Sequence, residues 1–251
     1  MKKHLKVILC FVITAIIIIG AILLFRHNYV NLEGVFVKRN IKEVIVHLEN
    51  VDINELNRCS EIRNMLVSHS SDDLFSQLTV FKNLETLVVF NAKEEYSDDF
   101  IDMVNKQPNL KTLDLLIVSE VDLNGINNSS VERLSVSADS VKNIQSIADC
   151  RSLKILSVNS SEIADCIIAE ENTGDDVPYH YYLRDSSHFS VLDNVGELRL
   201  RNIYIEDISG LTDMDSLKSI IVSEGFISDE TTKAIEENGI DVMVDTIEEN
   251  S

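Results

Sequence analysis

Residues 195–222 read VGELRLRNIYIEDISGLTDMDSLKSIIV, and this stretch decides the fold. Its two ends carry one pattern, apolar-x-x-apolar-x-apolar: Val195, Leu198 and Leu200 at one end, and Leu217, Ile220 and Val222 at the other, 22 residues on. Apolar fourth and sixth positions describe a strand with one buried face, because side chains alternate across a strand with period two. Working outward, the pattern also opens at Ile41, Ile62, Leu84, Leu110, Val131 and Leu153. Successive starts are 21, 22, 26, 21, 22, 42 and 22 residues apart. Recurrence at such a period is the mark of a solenoid, in which each unit buries its apolar face only by stacking on its neighbours. The interval of 42 is twice 21, so a degenerate repeat is expected between Leu153 and Val195, giving about nine units.

These units resemble the leucine-rich-repeat family, over roughly residues 41–244. The stretch from Asn202 to Leu211, N-I-x-I-x-D-I-S-x-L, is similar to the 22-residue type of bacterial internalin-like proteins. The resemblance implies an α/β leucine-rich-repeat solenoid with a parallel concave sheet and short helices or turns on the convex side. It also implies that the concave sheet is the binding surface. The family commonly places Asn three residues after the third apolar position, forming a buried ladder. Here those positions hold Glu49, Ser70, Ala92, Val118, Asp139, Ser161, Ile203 and Gly225, so the inner turns must satisfy their backbone groups otherwise. The 26-residue unit has room for a convex helix, with Ser97 as cap, Asp98 and Asp99 at its positive end, and Phe100, Ile101 and Val104 facing inward. In the last unit Ser228 caps a helix, Gly239 stops it, and Ile240 to Val244 makes a final strand.

Ahead of the solenoid, Val7 to Phe25 is an uncharged run of 19 residues. At ~1.5 Å per residue a helix of that length matches the ~30 Å hydrocarbon core. Lys2, Lys3 and Lys6 precede it and Arg26 alone follows closely, which puts the N-terminus in the cytoplasm and the solenoid outside. The expected organisation is a cytoplasmic stretch (1–6), a transmembrane signal-anchor (7–25), a linker and N-terminal cap (26–40), the solenoid (41–244) and an acidic tail (245–251). A cleaved signal peptide is the alternative, but its apolar region is usually shorter and ends at a small-residue site.

The chain carries 42 acidic against 22 basic residues, a net charge of −20. Setting aside the four basic residues that flank the hydrophobic run leaves 18 against 42, or −24. That field repels phosphate backbones and excludes nucleic acid as a natural partner. No metal-binding, phosphate-binding or nucleophile motif occurs, so the chain reads as non-enzymatic, with no cofactor and no metal. His180 and His188 near Glu170, Glu171, Asp175 and Asp176 read as solvated loop residues. Cys59 and Cys150 stand three residues before a repeat start, where Phe81, Leu192 and Met214 stand in other units, and Cys166 falls in the register of Ile144 and Ile208. These positions read as buried thiols; a Cys150–Cys166 bridge is the alternative.

Two surfaces suit a partner. Position 5 of each unit faces away from the core and reads Ile45, Leu66, Val88, Asp114, Ser135, Ser157, Arg199 and Ile221. Ile45, Leu66 and Val88, with Phe90, form an apolar row, unless the cap at Val35 to Val37 folds over it. The second is the irregular stretch Ile168 to Leu192, with Tyr179, Tyr181 and Tyr182; Pro178 argues against a regular central strand there. The function expected is recognition of a protein or peptide by a membrane-tethered solenoid; the alternative is a scaffold for a membrane partner.

Overall fold

In a computed structural model the described residues are 18–245, without 70–74, 76, 79, 92–97, 119, 164–166 and 172–178; the side chains of 69, 91, 98, 160–163, 167–171 and 179–181 are also outside the description. The architecture is a stack of parallel strands, one per unit. β1 (Tyr29–Leu32) and β2 (Val35–Lys38) form an antiparallel hairpin at the N-terminal end. β3 (Glu43–His47), β4 (Asn64–His69), β5 (Thr86–Asn91), β6 (Thr112–Ile117), β8 (Arg133–Lys142), β9 (Ile155–Ile163), β12 (Glu197–Arg201), β14 (Ser219–Ser223) and β16 (Asp241–Asp245) follow each other across the main sheet, with β7 (Glu120–Asp122) beside the end of β8.

The register is the one the sequence pattern demands. Val44 pairs with Met65, then Leu87, Leu113, Leu134, Leu156, Leu198, Ile220 and Val242 in succession, all at position 4. Position 6, from Val46 to Val222, is buried strand after strand. Both rows enter one continuous core. Parallel pairing here needs no long crossover sheet-by-sheet, because each return segment is short: α2 (Ile53–Asn57), α3 (Asp98–Asn105), α4 (Ser209–Thr212), α5 (Asp229–Glu236) and 3₁₀ turns at Ile144–Asp149 and Ser187–Phe189.

Local chemistry explains these returns. The Ser228 hydroxyl accepts a hydrogen bond from the Thr231 amide at 3.1 Å, capping α5, and Gly239 leaves it at φ +80°. In α3, Phe100 and Val104 are buried and Ile101 packs partly into the core; Phe100 meets Phe75 edge-on at 5.0 Å between centroids. The expected cap Ser97 lies outside the described residues.

At three turns the missing asparagine is replaced by backbone. The position 8 amides of Leu48, Asn202 and Glu224 donate to the position 7 carbonyls of Ser68, Ser223 and Asp245 in the next unit, at 3.0, 2.8 and 3.3 Å. The strand ladder thus extends by one residue into the turn. Asn202 and Glu224 adopt positive φ (61° and 54°) to allow it, and Gly225 lets the chain press on Ile203, whose carbonyl accepts from Phe226 N–H at 3.2 Å.

One expectation is corrected. No degenerate repeat stands between Leu153 and Val195 in the main sheet, because β9 pairs directly with β12, Leu156 against Leu198. The extra residues instead form an antiparallel hairpin of β10 (Ile167–Glu171) and β11 (Tyr179–Leu183). The end of β11 rejoins the stack beside β13 (Tyr204–Ile205), itself beside β15 (Phe226–Ile227). The return half of a unit is therefore present without its own strand in the main sheet. Among the described residues nine strands still follow one another across that sheet, with β7 beside β8 as a tenth, since the one ending at Asp245 supplies the last.

At the N-terminal end, residues 18–28 form α1, and Ile18, Ile19, Ile22, Leu23, Leu24 and Phe25 are exposed. Among the described residues no helix is long and apolar enough to cross a membrane; residues 7–17 of the expected span lie outside them.

A candidate recognition surface on the open face of the main sheet

Pairing brings Ile45, Leu66 and Val88 side by side at position 5 of β3, β4 and β5. Adjacent strands lie ~4.8 Å apart, so the three side chains are contiguous. Ile45 is 70 % exposed, and Leu66 and Val88 are half-buried by one another and their neighbours. The residues around them, Glu43, Val44, Asn64, Met65 and Thr86, complete a shallow depression.

A second row lies two residues further along. Phe90 pairs with Leu116 at position 7, and both are exposed, as is Val118 beyond the end of β6. Leu116 and Val118 stand outside the position 5 row. The sequence signal for Leu116 is position 7, where it repeats the place of Phe90 while His47, Ser68, Ser137, Asn159 and Ser223 are polar. The patch therefore occupies the N-terminal part of the sheet face. Beyond Asp114 the middle of the same face is polar, with Ser135, Ser157, the part-buried pair Arg199–Glu197 at 2.6 Å and the exposed pair Arg201–Glu224 at 2.6 Å, before Ile221 and the exposed Met243 make it apolar again at the far end. Burial raises the Asp114 carboxyl above its ordinary pKa against the lowering effect of nearby Arg133, so the charge at the patch border is held at a cost.

The hairpin β1–β2 does not cover this patch. Val35 and Phe36 are themselves exposed, while Val30 and Leu32 plug the end of the core. Its turn, Glu33–Gly34, has positive φ at both residues (51° and 84°), the geometry of a type I′ turn. That turn presents the Glu33 carboxylate to His47, which donates to it from the backbone amide and approaches it with Nδ1 at 3.2 Å. The cap thus occupies an amide at the end of edge strand β3, which limits unwanted edge pairing.

The tyrosine-rich segment forms a separate flank. Tyr182, Tyr204 and Phe226 stack in line, with centroids 5.3 and 5.8 Å apart, and the Arg184 guanidinium sits 5.0 Å over the Tyr182 ring. Tyr204 and Phe226 extend a site that the sequence pattern placed in the hairpin alone; their successive spacing of 22 residues, Tyr182 to Tyr204 to Phe226, was the available signal. Tyr179 and Tyr181 belong to β11, but their side chains lie outside the description. These strands form a sheet distinct from that of Ile45, Leu66 and Val88, so the two candidate surfaces are not brought together.

The described cysteines are free thiols, both buried. Burial pushes the Cys150 thiol up to about 11, reinforced by Asp149 and opposed by a backbone hydrogen bond from Asn128. Burial also raises Cys59, with Arg39 and Arg58 pulling the other way. Their register, three residues before a repeat start, also holds buried Gln107 and Asn128. Asn128 Nδ2 donates to the Val104 and Gln107 carbonyls at 2.7 and 2.8 Å, and Gln107 Oε1 accepts from Phe81 N–H at 2.9 Å. The outer turn therefore carries a short polar ladder. Cys166, His180, Asp175 and Asp176 lie outside the described side chains; among those described, no His, Cys, Asp and Glu cluster could hold a metal.

No family model matches the sequence, and no curated protein matches it. Similarity appears among solved structures. Internalin C2 of Listeria monocytogenes is 17 % identical over 84 % of each chain, with a TM-score of 0.53. The fold is thus that of a leucine-rich-repeat solenoid. A second internalin of Listeria monocytogenes (11 % identity, 86 % of each chain, TM-score 0.35) and a leucine-rich-repeat protein of Leptospira interrogans (11 %, 83 % of this chain and 73 % of that one, TM-score 0.29) are more remote.

Proposed function

We propose that the chain is a membrane-tethered, non-enzymatic recognition module that binds a protein or peptide through the apolar patch of its main sheet. The observation that carries this reading is the contiguous exposure of Ile45, Leu66, Val88, Phe90 and Leu116 on an uncovered face. Isolated apolar residues on a surface need no explanation, but two adjoining rows in a strongly acidic chain do. Burial of apolar area is worth ~25 cal/mol per Å², so a few hundred Å² outweighs the screened charges at its rim. A patch of this kind suits an apolar segment of a partner protein. The tether is supported by the uncharged run of 19 residues and by the exposed apolar side chains of α1. The bias of lysines towards residues 1–6 favours the solenoid outside, at a cell membrane.

Site-specific photocrosslinking in native membranes tests the recognition surface. A photoreactive side chain at Ile45 or Phe90 is expected to capture a partner that the same group at Ser157 does not. Leu66→Asp is expected to abolish that capture while leaving the urea midpoint nearly unchanged. Capture only from Tyr182 or Phe226 would move the site to the aromatic flank. Protease added to intact cells is expected to digest residues beyond 40; protection until the cells are permeabilised would reverse the topology.

A further inference from the structure

We infer that the N-terminal hairpin is a seat that holds the solenoid in a fixed pose on an anionic lipid surface, an inference that rests on the membrane tether proposed above. The end of α1 is clamped to the solenoid rather than joined to it by a linker. The last four carbonyls of a helix have no partner within it. Three of them are taken by the cap and the first unit of the solenoid: Arg26 O accepts from the Arg58 guanidinium, His27 O from Arg39 Nη1 at 3.2 Å, and Asn28 O from the Arg39 amide at 2.9 Å. Arg39 Nε also reaches Arg58 O at 3.3 Å, and Glu55 holds Arg58 Nη1 at 2.5 Å. Strand β1 begins at Tyr29, the residue after the helix ends. The direction in which α1 leaves the solenoid is thereby set, and cationic groups at a helix C-terminus also complement its dipole.

The hairpin lies against that helix end through aromatic rings. Phe25 stacks on Tyr29 at 4.7 Å and meets Phe36 edge-on at 5.2 Å. Val35 and Phe36, next to the turn, are 61 % and 60 % exposed and continue the apolar surface of α1. Aromatic rings beside an apolar helix match the headgroup level of a bilayer. Arg26, Lys38 and Arg39 lie at the same end, where they outnumber Glu33 of the hairpin turn, and His27, Lys38 and Arg39 line an open polar pocket there with Glu61 on its rim. In a chain of net charge −20, this basic end faces anionic headgroups while the acidic remainder is repelled by them. The occupant of the exposed hairpin surface is therefore lipid.

The chain contains no Trp, so one substitution gives a clean probe. Full-length Phe36→Trp and Phe90→Trp chains are reconstituted in vesicles of phosphatidylcholine and phosphatidylglycerol carrying brominated acyl chains. Phe36→Trp is expected to lose about half or more of its emission, as an interfacial ring does, and Phe90→Trp to lose none. Adding Arg39→Gln with Arg58→Gln to the Phe36→Trp chain is expected to bring its quenching down towards the Phe90→Trp level while the chain still resists alkaline extraction. Unquenched Phe36→Trp in an extraction-resistant chain overturns the seat and leaves the tether standing. A blue-shifted but unquenched signal also overturns it, since a protein surface would then cover the hairpin. Quenching retained after both arginine changes overturns the clamp. Alkaline extraction of the parent chain overturns tether and seat together.

Discussion

Gly225 occupies the register at which related repeats commonly carry a buried asparagine, and a Cβ there would sit 2.1 Å from the Ile203 carbonyl oxygen. Gly225→Ala must therefore push two stacked turns apart; a loss of ~1–3 kcal/mol or more is expected from urea unfolding, as for overpacked sites. Asp207 is a second such point. Burial works to raise its pKa, but four hydrogen bonds from Ser186 and Ser209, the shortest at 2.6 Å, outweigh it and lower the value. A depressed carboxyl stabilises the fold above its ordinary pKa of ~3.9 and loses that contribution as pH falls through the lower folded value. Asp207→Asn is thus expected to cost ~1–3 kcal/mol at pH 7, and the gap between parent and variant is expected to close on acidification. A gap independent of pH would mean that shape rather than charge matters there. The thiols give a third test: with both raised by burial, Cys59 and Cys150 are expected to resist alkylation at pH 8 in the native chain and to react fully in urea, read by mass spectrometry.

Strand β6 shows what alternation is worth at the scale of one element. Leu113 is fully buried, whereas Asp114 beside it borders the apolar patch. Leu113→Ala is expected to cost ~2–5 kcal/mol, as for other large-to-small core changes. Asp114→Asn is expected to be neutral or stabilising at pH 7, because a carboxyl with a raised pKa opposes folding when ionised. That penalty is full above the folded pKa and absent below the unfolded value of ~3.9, so the two chains should converge in acid. Equal losses from the two substitutions would show that the register of β6 is misread. Among elements, β3 to β6, β8, β9, β12, β14, β16 and the caps of α5 were legible in sequence, because each depends on residues within a few positions, whereas β7 was not. Nor was the hairpin β10–β11. An interval of 42 fits two short units as well as it fits one unit with an insertion, and only the pairing of β9 with β12 separates them.

Across the whole molecule the two ends differ. The hairpin β1–β2 closes the N-terminal end, while at the other end Val244, in a register buried from Val46 to Val222, is 44 % exposed. Stability in a solenoid passes between neighbours, so amide exchange is expected to be fastest in β16 and slowest in β6 and β8. Uniform protection would point to a further layer over β16. The repeating strand, its register and its buried rows follow from residue order alone, because apolar spacing and strand geometry share the same period. So does the Ile45–Leu66–Val88 row, since position 5 must face away from positions 4 and 6. That the cap leaves this row open, that Leu116 and Val118 extend it, and that Tyr204 and Phe226 join Tyr182 emerge with folding. Those facts depend on what neighbouring units bring alongside, and side chains about 22 residues apart become neighbours only when the repeats stack.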